Sequence, residues 1–303
     1  MTVDDLSVRL PLPPDPARAT LVMSAPATGP GAWAGSPSAI RVDGDIFLAY
    51  RLRTPSRRGY AVEVARSADG LTFKRIGTIR QEELDTESLE RPALAVTPDG
   101  RWRLYLSCAT HGTKHWRVEV IEAAAPDAFD PRDSRVVLPG DAMSAVKDPV
   151  LAYHGGKWHL WAAVHPLTDL DHTDRMTTGY ATSADGLDWT WQGTALAPRA
   201  GEWDARGVRV AAVEFTAEGV VAYYDGRATA AENCEERTGL ACGPLPGALH
   251  ALGSGPVAQS PHLPGLGLRY VTALDLGDGR ERLYYELTNA NGSHDLVTEL
   301  REG

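Results

Sequence analysis

Carboxylic side chains occur in two places where their neighbours could tune them for acid–base chemistry. Asp148 stands at the start of an apolar segment, directly after a lysine and before a proline. The segment 224–237 carries several acids together with two arginines, and its candidate acids are Asp225, Glu232 and Glu235. A carboxyl group that is near other acids and partly dehydrated has a raised pKa, whereas one beside an arginine stays ionised. We therefore predict that Asp148 and one of these three acids, with Glu235 or Glu232 preferred, form a catalytic pair.

Each of these positions also has a purely structural interpretation. Asp148 could cap backbone N–H groups or pair with its neighbour Lys147, and the segment 224–237 could be a solvated loop held by its own arginines. The sequence leaves both interpretations open.

Basic and imidazole side chains near the same positions could hold a polar or anionic ligand. Arg91 is the clearest case, since it could tether Asp148 or bind a carboxylate or phosphate through paired hydrogen bonds. His165, directly before a proline, is a candidate hydrogen-bonding group. The predicted substrate-binding residues are Arg91, Lys147, Arg227, His165, His111 and Arg209.

No metal or cofactor is predicted. His111 and His115 have the i, i+4 spacing of metal ligands on a helix, but the sequence predicts no helix there. Trp33 and Trp203 could stack on a ligand ring, although burial is the commoner outcome for a tryptophan. The cysteines are expected in the core; they are Cys108, Cys234 and Cys242.

The elements that must position these residues are short strands in a repeated pattern. Thirty Gly and 21 Pro separate runs rich in Val, Leu, Tyr and Trp, which is typical of an all-β fold. Five strand-like runs each follow a tight-turn dipeptide that joins the two strands of a hairpin. The dipeptides are Asp43-Gly44, Asp99-Gly100, Gly155-Gly156, Glu218-Gly219 and Asp278-Gly279. Aligned, the five units are 55, 57, 63 and 60 residues apart.

That spacing suits a unit of four strands. A second repeat supports it, because a strand, a Ser-Ala-Asp-Gly turn and a further strand occur at both 60–73 and 179–189. We predict a five-bladed β-propeller of four-stranded antiparallel blades, forming one domain over residues 1–303. The blades start near residues 35, 90, 147, 209 and 269. The last unit lacks a strand, and the segment 20–24 is expected to supply it and close the ring.

Strand direction then locates the site. Strands alternate within a blade, so the starts of the innermost strands and the loops after the second strands share the face opposite the hairpin turns. We expect Arg91, Asp148 and Arg227 to point into one axial cavity on that face.

Composition excludes several partners. The net charge is −10 with both signs interspersed, so no basic face is available for nucleic acid or an anionic membrane. No apolar stretch reaches the roughly 18 residues of a membrane span, and acids stand where a signal peptide would be basic. Three cysteines suit a reducing compartment, so a cytoplasmic protein with a small-molecule or oligosaccharide substrate is expected, of unassigned oligomeric state.

The blade pattern, the Ser-Ala-Asp-Gly-Leu-Asp-Trp segment at 183–189 and Lys147-Asp148-Pro149 resemble the five-bladed glycoside hydrolase superfamily of families 43, 32, 68, 117 and 130. The resemblance covers roughly residues 33–290. It implies a glycosidase, which needs two carboxyl groups across the scissile bond. In family 43 the base opens the blade-one strand, where this chain has Ser36-Pro37, and the acid opens the blade-four strand, where it has Arg206-Gly207. Of the family's acids only the one that tunes the pKa of the general acid remains, as Asp148.

The resulting hypothesis is a glycoside hydrolase-like enzyme with a relocated carboxylate pair. One alternative is a phosphorylase or another enzyme acting on an anionic small molecule, since the surplus of arginines resembles family 130, the mannoside phosphorylases. The other is a sugar-binding propeller without catalysis, which is favoured if the acids are all tied in ion pairs to the arginines.

Overall fold

The structure, a computed structural model, describes residues 10–302 and is almost entirely β. Twenty strands and five single-turn 3-10 helices are found in this range. The 3-10 helices are Pro16–Arg18, Gln81–Glu83, Pro131–Asp133, Leu170–His172 and Ala230–Glu232. The prediction of an all-β chain is confirmed.

The strands follow one another in groups of four. Group one is β2 (Trp33–Val42), β3 (Asp45–Thr54), β4 (Arg57–Ser67) and β5 (Lys74–Arg80). Group two is β6 (Leu89–Val96), β7 (Trp102–Ala109), β8 (Trp116–Ala123) and β9 (Arg135–Leu138). Group three is β10 (Ser144–His154), β11 (Lys157–Pro166), β12 (Thr177–Ser183) and β13 (Thr190–Leu196). Group four is β14 (Gly207–Phe215), β15 (Val220–Arg227), β16 (Arg237–Leu245) and β17 (Ala248–Ala251). Group five is β18 (Leu268–Asp275), β19 (Arg280–Thr288), β20 (His294–Glu302) and the early strand β1 (Thr20–Met23).

Groups two, three and four are separate four-stranded antiparallel sheets. Groups one and five form a single eight-stranded sheet, because β2 and β20 share one parallel pair, Trp33 with His294. Strand β1 pairs antiparallel with β20, with Thr20 opposite Thr298. The N-terminal segment therefore supplies the fourth strand of the last group, where the sequence predicted it.

The first strands of the five groups surround a common axis. They begin within three residues of the predicted starts, and each contacts the next, with β18 returning to β2. Every one of them contains a β-bulge near its start. Three bulges hold a non-glycine residue in the left-handed region: Ser36 (φ 54°), Asp148 (φ 57°) and Tyr270 (φ 57°). Since a bulge re-aims side chains, these strands turn polar residues towards the axis.

The apolar core lies between neighbouring groups in five clusters. Phe47 and Trp102, from groups one and two, meet edge to face with ring centroids 4.7 Å apart. Trp161 and Tyr224 belong to the cluster between groups three and four. Packing between sheets therefore holds the groups together and leaves the axis to polar side chains.

None of the helices in the described range is long and apolar enough to cross a membrane. The three cysteines are free, with Cys108 and Cys242 buried as expected and Cys234 partly buried.

Candidate functional site

A cavity of about 430 Å³ opens at one end of the axis. It lies between the starts of the first strands and the loops that follow the second strands. Its walls come from all five groups and are Trp33, Arg53, Arg58, Glu90, Lys114, Trp116, Lys147, His165, Thr173, Asp174, Met176, Arg209, Arg227, Asn233, Cys234, Glu236, Arg269 and Tyr270. A pocket of this size is typical of a small-molecule site.

Arg209 organises one half of the cavity floor. Its guanidinium donates to Asp225 at 2.7 Å and to Asp148 at 3.0 Å, and both carboxylates are fully buried. Asp225 also accepts from the backbone N–H of Tyr270 at 3.0 Å. The two acids are thus held side by side beneath one arginine.

Glu286 organises the other half. It is fully buried and accepts hydrogen bonds from Arg269 at 2.6 Å, from Arg51 at 3.0 Å and from His294 at 2.7 Å. Gly35 permits this arrangement, since a Cβ atom at position 35 would overlap the Glu286 carboxylate. Arg51 and Arg269 continue the network outward to Glu90 and Glu236.

Tyr270 separates the cavity from the deepest acid. The Arg209 guanidinium lies 3.8 Å from the centre of its ring, and its hydroxyl lies 3.4 Å from Asp148 Oδ2. Asp148 is therefore covered, and its Oδ1 has no partner among the described residues.

Arginines and Lys147 keep most of these acids ionised. Burial raises the pKa of Asp148, but Lys147 and Arg209 outweigh it and lower the pKa to about 2. For Glu286, burial is outweighed by Arg269 and Arg51, which hold its pKa well below the ordinary value. For Glu236, Arg269 and Arg227 outweigh burial and lower the pKa of the carboxyl group. Asp225 differs, because burial is the largest influence and raises its pKa despite Arg209.

The structure places the predicted catalytic acids away from the cavity surface. Asp148 and Asp225 lie together below the floor. Glu232 accepts from Arg237 at 2.8 Å, and Glu235 bonds His294 at 3.0 Å and Thr288 at 2.8 Å. None of these four carboxyl groups lines the cavity. Their catalytic role stays a prediction.

The predicted binding residues divide in the same way. Four of them line the cavity: Lys147, His165, Arg209 and Arg227. His111 is exposed, 3.4 Å from Asp85, and does not. The expectation that Arg91 and Asp148 reach the cavity is wrong. Arg91 is buried at the axis and donates to the Ala211 carbonyl oxygen at 2.6 Å. Its position at the start of a first strand therefore did not show how far below the cavity its side chain lies.

Sequence reasoning did not select several other residues that reach the cavity. Glu90 and Glu236 adjoin residues that were singled out, and one step along a bulged strand or a loop decides which side chain faces the axis. Tyr270 was missed because, when the five units are aligned, its bulge lies one residue earlier than the bulges at Ser36 and Asp148. Of the two tryptophans considered, Trp33 lines the cavity, whereas Trp203 packs on Tyr224 in the core.

His165 is a neutral hydrogen-bond acceptor in the wall. Burial is the main cause that lowers its pKa to about 3, with Lys147 adding to the effect. Its Nδ1 donates to the Thr173 carbonyl oxygen at 2.8 Å, which leaves Nε2 as an acceptor with no partner among the described residues.

This imidazole should make the free protein less stable in mild acid. An unfolded histidine binds a proton below about pH 6.5, whereas His165 in the folded protein binds one only below about pH 3. The unfolded state then binds more protons, so stability falls as the pH drops. From pH 6.5 to 5 we expect His165 to account for a loss of about 2 kcal/mol.

Urea unfolding of wild type and His165→Gln across that pH range measures the effect. The free energy of unfolding should fall less with pH in His165→Gln than in wild type. In His250→Gln, which alters an exposed histidine, it should fall as in wild type. Equal slopes for wild type and His165→Gln would contradict the assignment.

No metal centre is apparent in the part of the chain that the structure describes. Among residues 10–302, no group of three or more His, Cys, Asp or Glu side chains is arranged to hold a metal ion. His115 instead lies 3.4 Å from the Thr110 hydroxyl.

Comparison with known proteins relates the fold to carbohydrate-active enzymes. No protein-family model and no curated protein matches the sequence. The structure is similar to an α-L-arabinofuranosidase from Lactobacillus brevis, with a TM-score of 0.67 and 17% identity over 88% of this chain and 90% of that chain. A thermostable family-43 glycoside hydrolase gives a TM-score of 0.68 and 12% identity over 91% and 90%. A β-1,2-mannobiose phosphorylase from Listeria innocua gives 0.63 and 14% over 96% and 92%. The chain shares the fold of these glycoside hydrolases and phosphorylases, as the resemblance implied.

Proposed function

We propose that the twenty strands form one domain, a five-bladed β-propeller in which β1 closes the last blade. The contacts of the first strands around one axis support this, as do the five clusters between neighbouring groups. The single parallel pair between β2 and β20 is then a contact between neighbouring blades at the point of closure.

We further propose that the protein is a glycoside hydrolase-like enzyme whose axial cavity binds a carbohydrate. The observation that carries this is that two carboxyl groups from different blades, Glu90 and Glu236, reach one cavity that also contains tryptophan faces. Trp116, which is only partly buried, offers an aromatic surface beside which a sugar ring can pack, and His165 Nε2 accepts from a hydroxyl. The fold shared with an arabinofuranosidase and a mannobiose phosphorylase supports the same reaction class.

The two carboxyl groups are held differently, which suits different roles. Glu236 accepts from Arg269 at 2.7 Å and pairs with Arg227, and these cations keep it ionised. Glu90 has one oxygen 3.2 Å from Arg51, and its other oxygen lies 3.9 Å from Arg53. Asp174, the third acid in the wall, accepts two hydrogen bonds from Arg206.

In the proposed reaction Glu236 removes a proton from water as the water oxygen attacks the anomeric carbon. Arg51, Lys147 and Arg53 lower the pKa of Glu90 against the effect of burial, so Glu90 must take up a proton when substrate binds. It then gives that proton to the departing glycosidic oxygen as the glycosidic C–O bond breaks. Arg209 and Tyr270 form the floor on which the sugar lies.

Two observations support the other functions. The cationic lining would suit a phosphorylase, in which phosphate replaces water as the attacking group. The ion pairs of Asp148, Asp225 and Glu286 would suit a sugar-binding protein without catalysis.

A panel of aryl glycosides, assayed with and without phosphate, separates these functions. We expect release of the aryl alcohol from at least one glycoside without phosphate. Turnover that requires phosphate would establish the phosphorylase instead. Sugar binding detected by calorimetry with no turnover under either condition would establish the binding protein and contradict the enzyme.

A further inference from the structure

The lining of the axial cavity is strongly cationic although the whole chain is acidic. Seven lysines and arginines face it against three carboxylates, whereas the chain as a whole carries a net charge of −10. Such a concentration of one charge in a cleft raises the local concentration of ligands of the opposite sign.

The cations on the side of blades four and five are already compensated. Arg209 lies between Asp148 and Asp225, and Arg227 and Arg269 share Glu236. This side of the cavity therefore has little charge left for a ligand.

The opposite side, formed by Arg53, Lys114 and Lys147, is compensated less closely, through ion pairs of 3.6 Å or longer. Arg53 has only Glu90, at 3.9 Å, and its buried Nε has no partner among residues 10–302. Lys147 lies 3.6 Å from Asp148, which receives a closer contact from Arg209. Lys114 forms no ion pair within the described range. Arg53 and Lys147 are partly buried, where holding a cation is costly unless an anion joins it, whereas Lys114 is exposed.

We propose that this side is a subsite for the carboxylate of an acidic sugar, formed by Arg53, Lys114 and Lys147. The inference rests on the proposed function, since it assumes that the cavity takes a sugar. Two features favour an anion that is part of the sugar over a free one. Arg53 stacks on Trp33 at 4.1 Å, and Lys147 lies 4.7 Å from the centre of the Trp116 ring. Because Trp33 is buried and Trp116 is only partly so, a sugar ring packed beside Trp116 would bring its own carboxylate close to these cations.

Occupation of the subsite would also prepare the proton donor. Arg51, Lys147 and Arg53 are the cations that lower the pKa of Glu90 against the effect of burial. A sugar carboxylate drawn to Arg53 and Lys147 brings negative charge next to Glu90, which raises its pKa and favours the protonated form. The substrate's own charge would then help convert Glu90 into the acid that the reaction needs.

The test is calorimetric binding to the full chain with paired probes. Methyl glucuronide is compared with methyl glucoside, methyl galacturonide with methyl galactoside, and sodium phosphate is titrated alone. We expect an acidic sugar to bind at least about 10-fold more tightly than its neutral partner, with an advantage that shrinks as salt rises. Arg53→Gln and Lys147→Gln should each lower the affinity for the acidic sugar by a larger factor than the affinity for its neutral partner, so that the advantage is lost. Lys157→Gln, at an exposed hairpin position, should keep it.

The outcomes distinguish this inference from the proposed function. Equal binding of acidic and neutral sugars would overturn the subsite and leave the carbohydrate site intact. Phosphate that binds tightly while acidic sugars gain nothing would overturn it in favour of a free anion. If no sugar of either kind bound, and none of the aryl glycosides was turned over, the proposed function would fall as well.

Discussion

Replacing Glu286 by glutamine should cost the protein about 3–5 kcal/mol of unfolding free energy, although the two side chains have nearly the same shape. The carboxylate neutralises Arg51 and Arg269 and accepts a hydrogen bond from His294 in a place with no access to water. Removing one partner leaves a buried charge without compensation, which destabilises a protein far more than replacing the whole pair by apolar residues. Urea unfolding at pH 7 measures the loss. Glu302→Gln, which removes an exposed carboxylate from the same strand as His294, should change stability by less than about 0.5 kcal/mol.

The pH dependence of the same pair of proteins gives a second check. The folded pKa of Glu286 lies well below its ordinary value, so its contribution is complete above about pH 4.5 and is lost as the pH falls. Wild type should therefore lose more stability than Glu286→Gln between pH 5 and 3. If Glu286→Gln lowered the free energy of unfolding by less than about 1 kcal/mol at pH 7, the network around Glu286 would not hold the first strands together. The same would follow if the stability of wild type and variant had the same pH dependence.

The fold could be predicted because its signals are local and repeated. Each tight-turn dipeptide indicates a hairpin, four similar steps of 55 to 63 residues indicate the repeating unit, and the missing strand of the last unit pointed to the N-terminal segment. The pairing of Thr20 with Thr298 follows from that count rather than from any feature of the segment itself.

The site could be predicted only in outline. Strand alternation gave the end of the axis at which the cavity opens, and four of the predicted binding residues line that cavity. It did not give depth, because the bulges shift the side-chain alternation by one residue and the shift differs between strands. Asp148 lies in one of these bulges, and it is covered by Tyr270, whose left-handed conformation has no sequence signal. The ion pair of Glu286 with Arg51 joins residues 235 positions apart in the chain, so spacing could not reveal it.

Glu236→Gln should lower kcat by about 10²–10⁴-fold, the usual contribution of a general base, while KM changes little. The substrate is the aryl glycoside that wild type hydrolyses fastest. Glu236 lines the cavity and is held ionised by Arg269 and Arg227, as a residue that activates water must be. Its neighbour Glu235 points instead to His294, Thr288 and the backbone N–H of Gly267. Glu235→Gln should therefore retain kcat within about tenfold, and so should Glu232→Gln.

These three variants change the same residue type within five positions of one loop, which makes them matched controls for one another. Because Glu236 also takes part in buried ion pairs, each variant is first compared with wild type by thermal unfolding and by its affinity for the neutral methyl glycosides. A Glu236→Gln protein that folds, binds sugar and does not turn over substrate identifies the carboxylate that acts in the cavity. The reverse pattern, with Glu235→Gln inactive and Glu236→Gln active, would restore the pair expected from the sequence. It would also require the segment 224–237 to rearrange when substrate binds, because only then could Glu235 reach the anomeric carbon.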